Sequence, residues 1–124
     1  MILRLTLVLF ISASFLSNAQ SVFAKPFDKV SSVKLQNFTK LYSDWTLQGD
    51  RLVANFKFTG GFKGAVEFVQ QLVKPADAMN HHPDLSISYN KVTVSLTTHD
   101  AGGITEADLQ LAETIQNLYA KVKK

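Results

Sequence analysis

The chain has three histidines, and all fall close together: His81 and His82 adjacent before Pro83, and His99 in the run THDAGG. Imidazole is the side chain that changes charge between pH 5 and 8, so it can give or take a proton under ordinary conditions. Carboxylates lie in the same region at Asp77, Asp100 and Asp108. Three chemistries compete for such a set. Proton transfer needs only that the imidazoles face one substrate. A zinc site needs three ligands converging on one point, and sequence-adjacent side chains such as His81 and His82 rarely do so. A serine hydrolase needs a nucleophile on a sharp strand-to-helix turn, and none of the serines sits in such a context. The plainest alternative is that His81 and His82 end a helix before Pro83 while His99 rests in a solvated loop.

Placement favours a site. Leu85, Ile87 and Tyr89 alternate with Ser86 and Ser88, Asn90-Lys91 turns the chain, and Val92, Val94 and Leu96 alternate with Thr93, Ser95 and Thr97. Period-two alternation on both sides of a short polar turn is the signature of an antiparallel hairpin. His81 and His82 precede its first strand and His99 follows its second, so the reversal of direction brings all three to one edge of the sheet. They would stand there beside Asp77, Asp100 and Asp108, a proton-handling cluster.

The remaining elements follow from periodicity. Val30, Val33, Leu35, Phe38 and Leu41 are spaced for a first helix. WTLQGDRLVANFKF reads as a hairpin around Gly49-Asp50, with Leu52, Ala54, Phe56 and Phe58 on one face and Asn55 and Lys57 on the other. Phe62, Val66, Val69 and Val73, flanked by Ala65, Phe68 and Leu72, mark an amphipathic helix, and Pro75 either interrupts it or starts a fresh turn. Thr105-Glu106-Ala107-Asp108 is a capping-box start with aspartate in place of glutamate, and Leu111, Ile115, Leu118 and Val122 give the last helix its apolar stripe. Helix, hairpin, helix, hairpin, helix, with one apolar face per strand, implies an α+β two-layer domain. It has a four-stranded antiparallel sheet with helices packed on one face and a Ser/Thr-rich face left open.

Composition narrows the classes further. With 124 residues the chain holds one domain. Its charge is only +3, and its thirteen basic residues are scattered, three of them at the C-terminus, so no nucleic-acid stripe exists. Without cysteine there is no disulfide, thiol nucleophile or thiolate metal site. MILR followed by LTLVLFISASFL, with no acidic residue before Asp28, has the layout of a secretory signal peptide over residues 1–24, cleaved after Ala19 or Ala24. The apolar run is short for a membrane span. The expectation is an exported domain over residues 25–124, free of the membrane once the leader is removed, with organellar import as the alternative. Cleavage after Ala19 leaves twelve basic against ten acidic residues.

The order Asp77, three residues, His81-His82-Pro83, five residues, Tyr89, nine residues, His99, eight residues, Asp108 resembles the signature of the pterin-4a-carbinolamine dehydratases. The resemblance extends to Trp45, Phe56 to Phe58, Tyr89 to Val92, Thr98 to Asp100 and Gly102 to Thr105, and covers about Val30 to Val122. It implies the same two-layer fold and a homodimer or homotetramer. It further implies dehydration of 4a-hydroxytetrahydropterin, left by aromatic amino acid hydroxylases, to quinonoid dihydropterin, with no metal or redox cofactor. By that resemblance His81 and His99 form the acid–base pair and His82 chiefly holds the pterin. Asp77 and Asp108 orient imidazoles, and Pro83 and Asp100 complete the substrate-binding set. A second class stays open, since relatives of this fold also serve as non-catalytic binding, dimerisation or assembly modules. Retention of all three histidines favours the enzyme.

Overall fold

A computed structural model describes residues 28–123; the proposed leader lies outside the described residues. The elements run α1 (Ser32–Leu41), β1 (Trp45–Gln48), β2 (Arg51–Lys57), α2 (Gly61–Met79), β3 (Asp84–Ser88), β4 (Lys91–Leu96), a single 3-10 turn (His99–Ala101) and α3 (Glu106–Val122). The four strands form one antiparallel sheet in the order β1-β2-β4-β3. The fold is the α+β class that the strand and helix periods imply.

The core lies between this sheet and the helices. Leu52, Ala54 and Phe56 of β2 and Val92, Val94 and Leu96 of β4 are buried and cluster with Ala65, Phe68 and Leu72 of α2 and Leu111, Ala112 and Ile115 of α3. Aromatic rings fill the centre. Phe68 lies 5.6 Å from Phe56 and 4.9 Å from Phe58, and Tyr119 of α3 lies 4.4 Å from Phe56, all in tilted or edge-on pairs. Each large apolar side chain so buried contributes about 1.5–3 kcal/mol.

Two expectations about α2 need correction. The helix runs unbroken through Pro75. Proline leaves the Gln71 carbonyl without its helical donor, but Gln71 is exposed to water, and Leu72 and Ala76 are buried on either side. Packing across the proline carries the helix onward. The buried stripe also differs, being Ala65, Phe68, Leu72 and Ala76, while Phe62 and Val73 are both 57% exposed. Both stripes have helical spacing. The one holding Phe68 is chosen because that ring meets Phe56, Phe58 and Tyr119. In α3 the buried face likewise widens from Leu111 and Ile115 to Leu109, Ala112 and Tyr119, and Val122 is left 36% exposed.

The ends of these elements aim the site. Asn80 adopts the left-handed conformation (φ 46°) that closes α2, and the His81 N–H returns to the Ala76 carbonyl at 3.1 Å. The chain therefore leaves the helix abruptly, and His81-His82 enter β3 at once. After β4, Thr98 and Gly103 pair with each other, the Thr98 N–H donating to the Gly103 carbonyl at 2.9 Å. Gly102, at φ 66°, closes the loop between them, which carries His99 on its 3-10 turn.

Candidate functional site

Because Asp84 pairs with Ser95, the start of β3 lies beside the end of β4. His81 and His82 are thereby set against residues 97–100, and the two segments line a cleft of about 420 Å³ with Asn80, Thr97, Thr98, His99 and Asp100. The three imidazoles do meet at one sheet edge. A second cleft, of about 360 Å³, lies among Lys29, Gly49, Asp50 and Gly102-Gly103 and carries no imidazole.

Asp108 anchors the cleft from beneath. It is completely buried at the N-terminus of α3, where it forms a capping box with Thr105. Its Oδ2 accepts from the Thr105 N–H at 2.8 Å and from the Thr98 hydroxyl at 2.8 Å, while its Oδ1 meets His81 Nε2 at 2.6 Å. A carboxylate that receives donors on both oxygens is an acceptor throughout, and the helix N-terminus favours its negative charge. Opposite an ionised Asp108, the tautomer that makes this contact a hydrogen bond carries its proton on Nε2 and leaves Nδ1 as the acceptor. His81 is itself mostly enclosed, its side chain only 15% exposed.

His82 turns to a different carboxylate, Asp77 Oδ1 at 2.9 Å, on the exposed end of α2. Asp77 thus holds one imidazole, not the whole set. The two adjacent rings direct Nε2 to separate partners, and among the described residues no three His, Asp or Glu side chains converge as metal ligands would. His99 is exposed at the rim, beside exposed Asp100. Pro83 lies apart from the histidine cleft. With Asp77 and His82 it borders an adjoining apolar cavity of about 170 Å³ walled by Val69, Leu72, Val73, Ala76 and Leu85. Leu85 is partly exposed there, at 38%.

Tyr89, part of the sequence signature, stands at the opposite end of β3, where its positive φ of 50° makes the hairpin turn. Its place in the spacing is that of a turn former. Near the site, Arg51 ties β2 to β3 across β4. Its Nη1 donates to Asp84 Oδ2 at 2.6 Å and Ser95 Oγ at 3.0 Å, and the Asp84 hydrogen bond raises the guanidinium pKa above its ordinary value. The cap of Thr105 on Asp108 was expected from the sequence, but the contacts of Thr98 with Asp108 and Thr105, and the place of Asn80 on the cleft wall, were not. The available signal for Thr98 was its position beside His99.

The cleft thus gathers three imidazole-bearing residues over a buried, cap-forming aspartate, groups suited to exchanging protons. The chain belongs to the pterin 4 alpha carbinolamine dehydratase family, whose match spans residues 28–118. A protein of Nostoc sp. provisionally named pterin-4-alpha-carbinolamine dehydratase is 48% identical over 89 residues, 72% of this chain and 95% of its own. A crystal structure of a transcriptional coactivator/pterin dehydratase from Brucella melitensis superposes with TM-score 0.69 at 26% identity, covering 74% of this chain and 99% of that one. A pterin dehydratase-like protein identified as a RuBisCO assembly factor in the alpha-carboxysome shares the fold, with TM-score 0.50 at 18% identity over 60% of this chain and 86% of its own.

Proposed function

We propose that this chain removes water from a 4a-hydroxytetrahydropterin by histidine acid–base catalysis. The observation that carries the reading is the 2.6 Å contact between His81 Nε2 and the fully buried Asp108, in a cleft that also holds His82 and His99. Family membership supplies the substrate class. In the reaction a base takes the N5 proton, the N5–C4a double bond forms, and the C4a–O bond breaks as an acid protonates the departing hydroxyl. The products are quinonoid dihydropterin and water. One proton is taken and one is given, so no electron acceptor is needed.

His81 serves as the base. With Nε2 committed to Asp108, its Nδ1 carries the lone pair, and the buried carboxylate stabilises the imidazolium that forms. His99, exposed at the rim, is the acid in its protonated form. His82, steadied by Asp77, grips the pterin. The supplier of the carbinolamine is an aromatic amino acid hydroxylase. The working unit is a homo-oligomer, a reading supported by β3, an edge strand whose five residues are all exposed and include Leu85 and Ile87. The reaction is tested by mixing purified protein with chemically generated 4a-hydroxytetrahydropterin and following quinonoid product, with the unaided rate subtracted. Acceleration that survives EDTA supports the reading. No acceleration, or acceleration that EDTA removes and zinc restores, contradicts it.

A further inference from the structure

We propose that Thr98 is a positioning residue for this dehydration, fixing the tautomer of His81 through Asp108. The proposal rests on the reading of His81 as the base. Thr98 is half-buried on the wall of the histidine cleft, next to His99 in the chain. Its Oγ1 lies 2.8 Å from Asp108 Oδ2 and 2.8 Å from Thr105 Oγ1, while Thr105 Oγ1 is 3.4 Å from the same Oδ2. Each hydroxyl has one proton to give. Thr105 Oγ1 already accepts the Asp108 backbone N–H in the capping box. The pattern that makes each hydroxyl's short contact a hydrogen bond has Thr105 donating to Thr98, and Thr98 donating to Asp108.

A capping box needs only the N-cap residue and the residue three positions on. Thr98 stands outside that pair, ten residues before Asp108 and at the end of β4. Its contribution is a second short donor to Oδ2, matching that of the Thr105 N–H. Two donors on Oδ2 fix the rotation of the carboxylate and leave Oδ1 as the acceptor facing His81. With one donor removed, the carboxylate can rotate, and the hold on the Nε2 proton loosens. The helix cap itself survives, because Thr105 and Asp108 are untouched.

The test is Thr98→Val, which keeps the shape and removes the hydroxyl, with Thr98→Ser as the variant that keeps the hydroxyl. Turnover should fall about tenfold in Thr98→Val, a part of the 10²–10⁴ that an acid–base group supplies. KM should stay near its original value, and Thr98→Ser should restore turnover. In a His81→Ala background, Thr98→Val should cost nothing more, the non-additivity expected of residues acting through one another. A multiplicative loss there overturns the proposal, as does a folded Thr98→Ser with the valine variant's defect. Nitrogen-15 NMR of the neutral His81 ring reads the tautomer without substrate. The starting protein should show Nε2–H, and Thr98→Val a gain in Nδ1–H. An unchanged tautomer overturns the proposal. Absence of dehydratase activity in the starting protein would instead remove the reading of the reaction, leaving the tautomer result to decide the role of Thr98.

Discussion

Asp108→Asn separates the structural and chemical duties of the buried aspartate. The amide has nearly the shape of the carboxylate, so the question is which way it faces. Its oxygen is required at the Oδ2 position, where the Thr105 N–H and the Thr98 hydroxyl both point at 2.8 Å. That sets the amide nitrogen against His81 Nε2, where the carboxylate now stands at 2.6 Å. Two N–H groups cannot face one another, so His81 must move its proton to Nδ1, the atom that has to receive the N5 proton. The reverse orientation sets the NH2 group against a backbone N–H that has no tautomer to change. Bonds to a charged group are worth about 1.5–3 kcal/mol against about 0.5–1.5 for neutral ones, but the variant also escapes burying a charge. The net destabilisation is about 1–2 kcal/mol, and a domain of 60–100 residues loses about 4–8 °C in Tm for each kcal/mol. Turnover should fall about 10²–10⁴-fold, the contribution of a positioned acid–base group, while thermal unfolding followed by circular dichroism still shows one cooperative transition. A folded Asp108→Asn with unchanged turnover would refute the reasoning about the tautomer.

His82→Ala should raise KM for the pterin and leave kcat within a few-fold, because His82 is held only by exposed Asp77; steady-state kinetics showing a loss confined to kcat would reverse its role with that of His81. Phe68→Ala removes the ring that joins Phe56, Phe58 and Tyr119 and should cost about 3–5 kcal/mol, measured by urea unfolding. A loss under 1 kcal/mol would mean that the core is centred elsewhere. Light scattering on the purified protein should give a dimer or tetramer mass, and a monomer at high concentration would count against β3 as an interface.

The fold was largely legible because its strands alternate cleanly. Val92, Val94 and Leu96 against Thr93 and Ser95 permit one face to be buried, and two short turns fix the hairpins. The first falls at Gly49-Asp50 as expected, and the second at Tyr89-Asn90, one residue before the expected Asn90-Lys91, because Lys91 already pairs with Ser88. Helix α2 was harder. Two apolar stripes share it, and only the tertiary partners of Phe68 decide which is buried. Pro75 carries a local signal for a break that packing of Leu72 and Ala76 overrides. The meeting of the histidines followed from hairpin reversal alone. Of the network beneath them, the Thr105–Asp108 cap was legible from its spacing, whereas Thr98 looks like an ordinary polar residue until the loop from Thr98 to Gly103 folds back and brings its hydroxyl to Asp108. Asp77 and Asp100 show the opposite limit. The hairpin places both near the histidines, but it does not say which ring each serves: Asp77 pairs with His82, and Asp100 lines the cleft from its exposed rim.

The central claim is that the imidazoles at this sheet edge carry the dehydration, and the measurement that tests it most directly compares the protein with a His81→Ala/His82→Ala/His99→Ala variant on 4a-hydroxytetrahydropterin. Both are first shown to fold by their circular dichroism and unfolding transitions. The account predicts that the unsubstituted protein accelerates formation of quinonoid dihydropterin and that the triple variant returns the rate to the unaided background. A folded triple variant that dehydrates the carbinolamine as fast as the unsubstituted protein would contradict it.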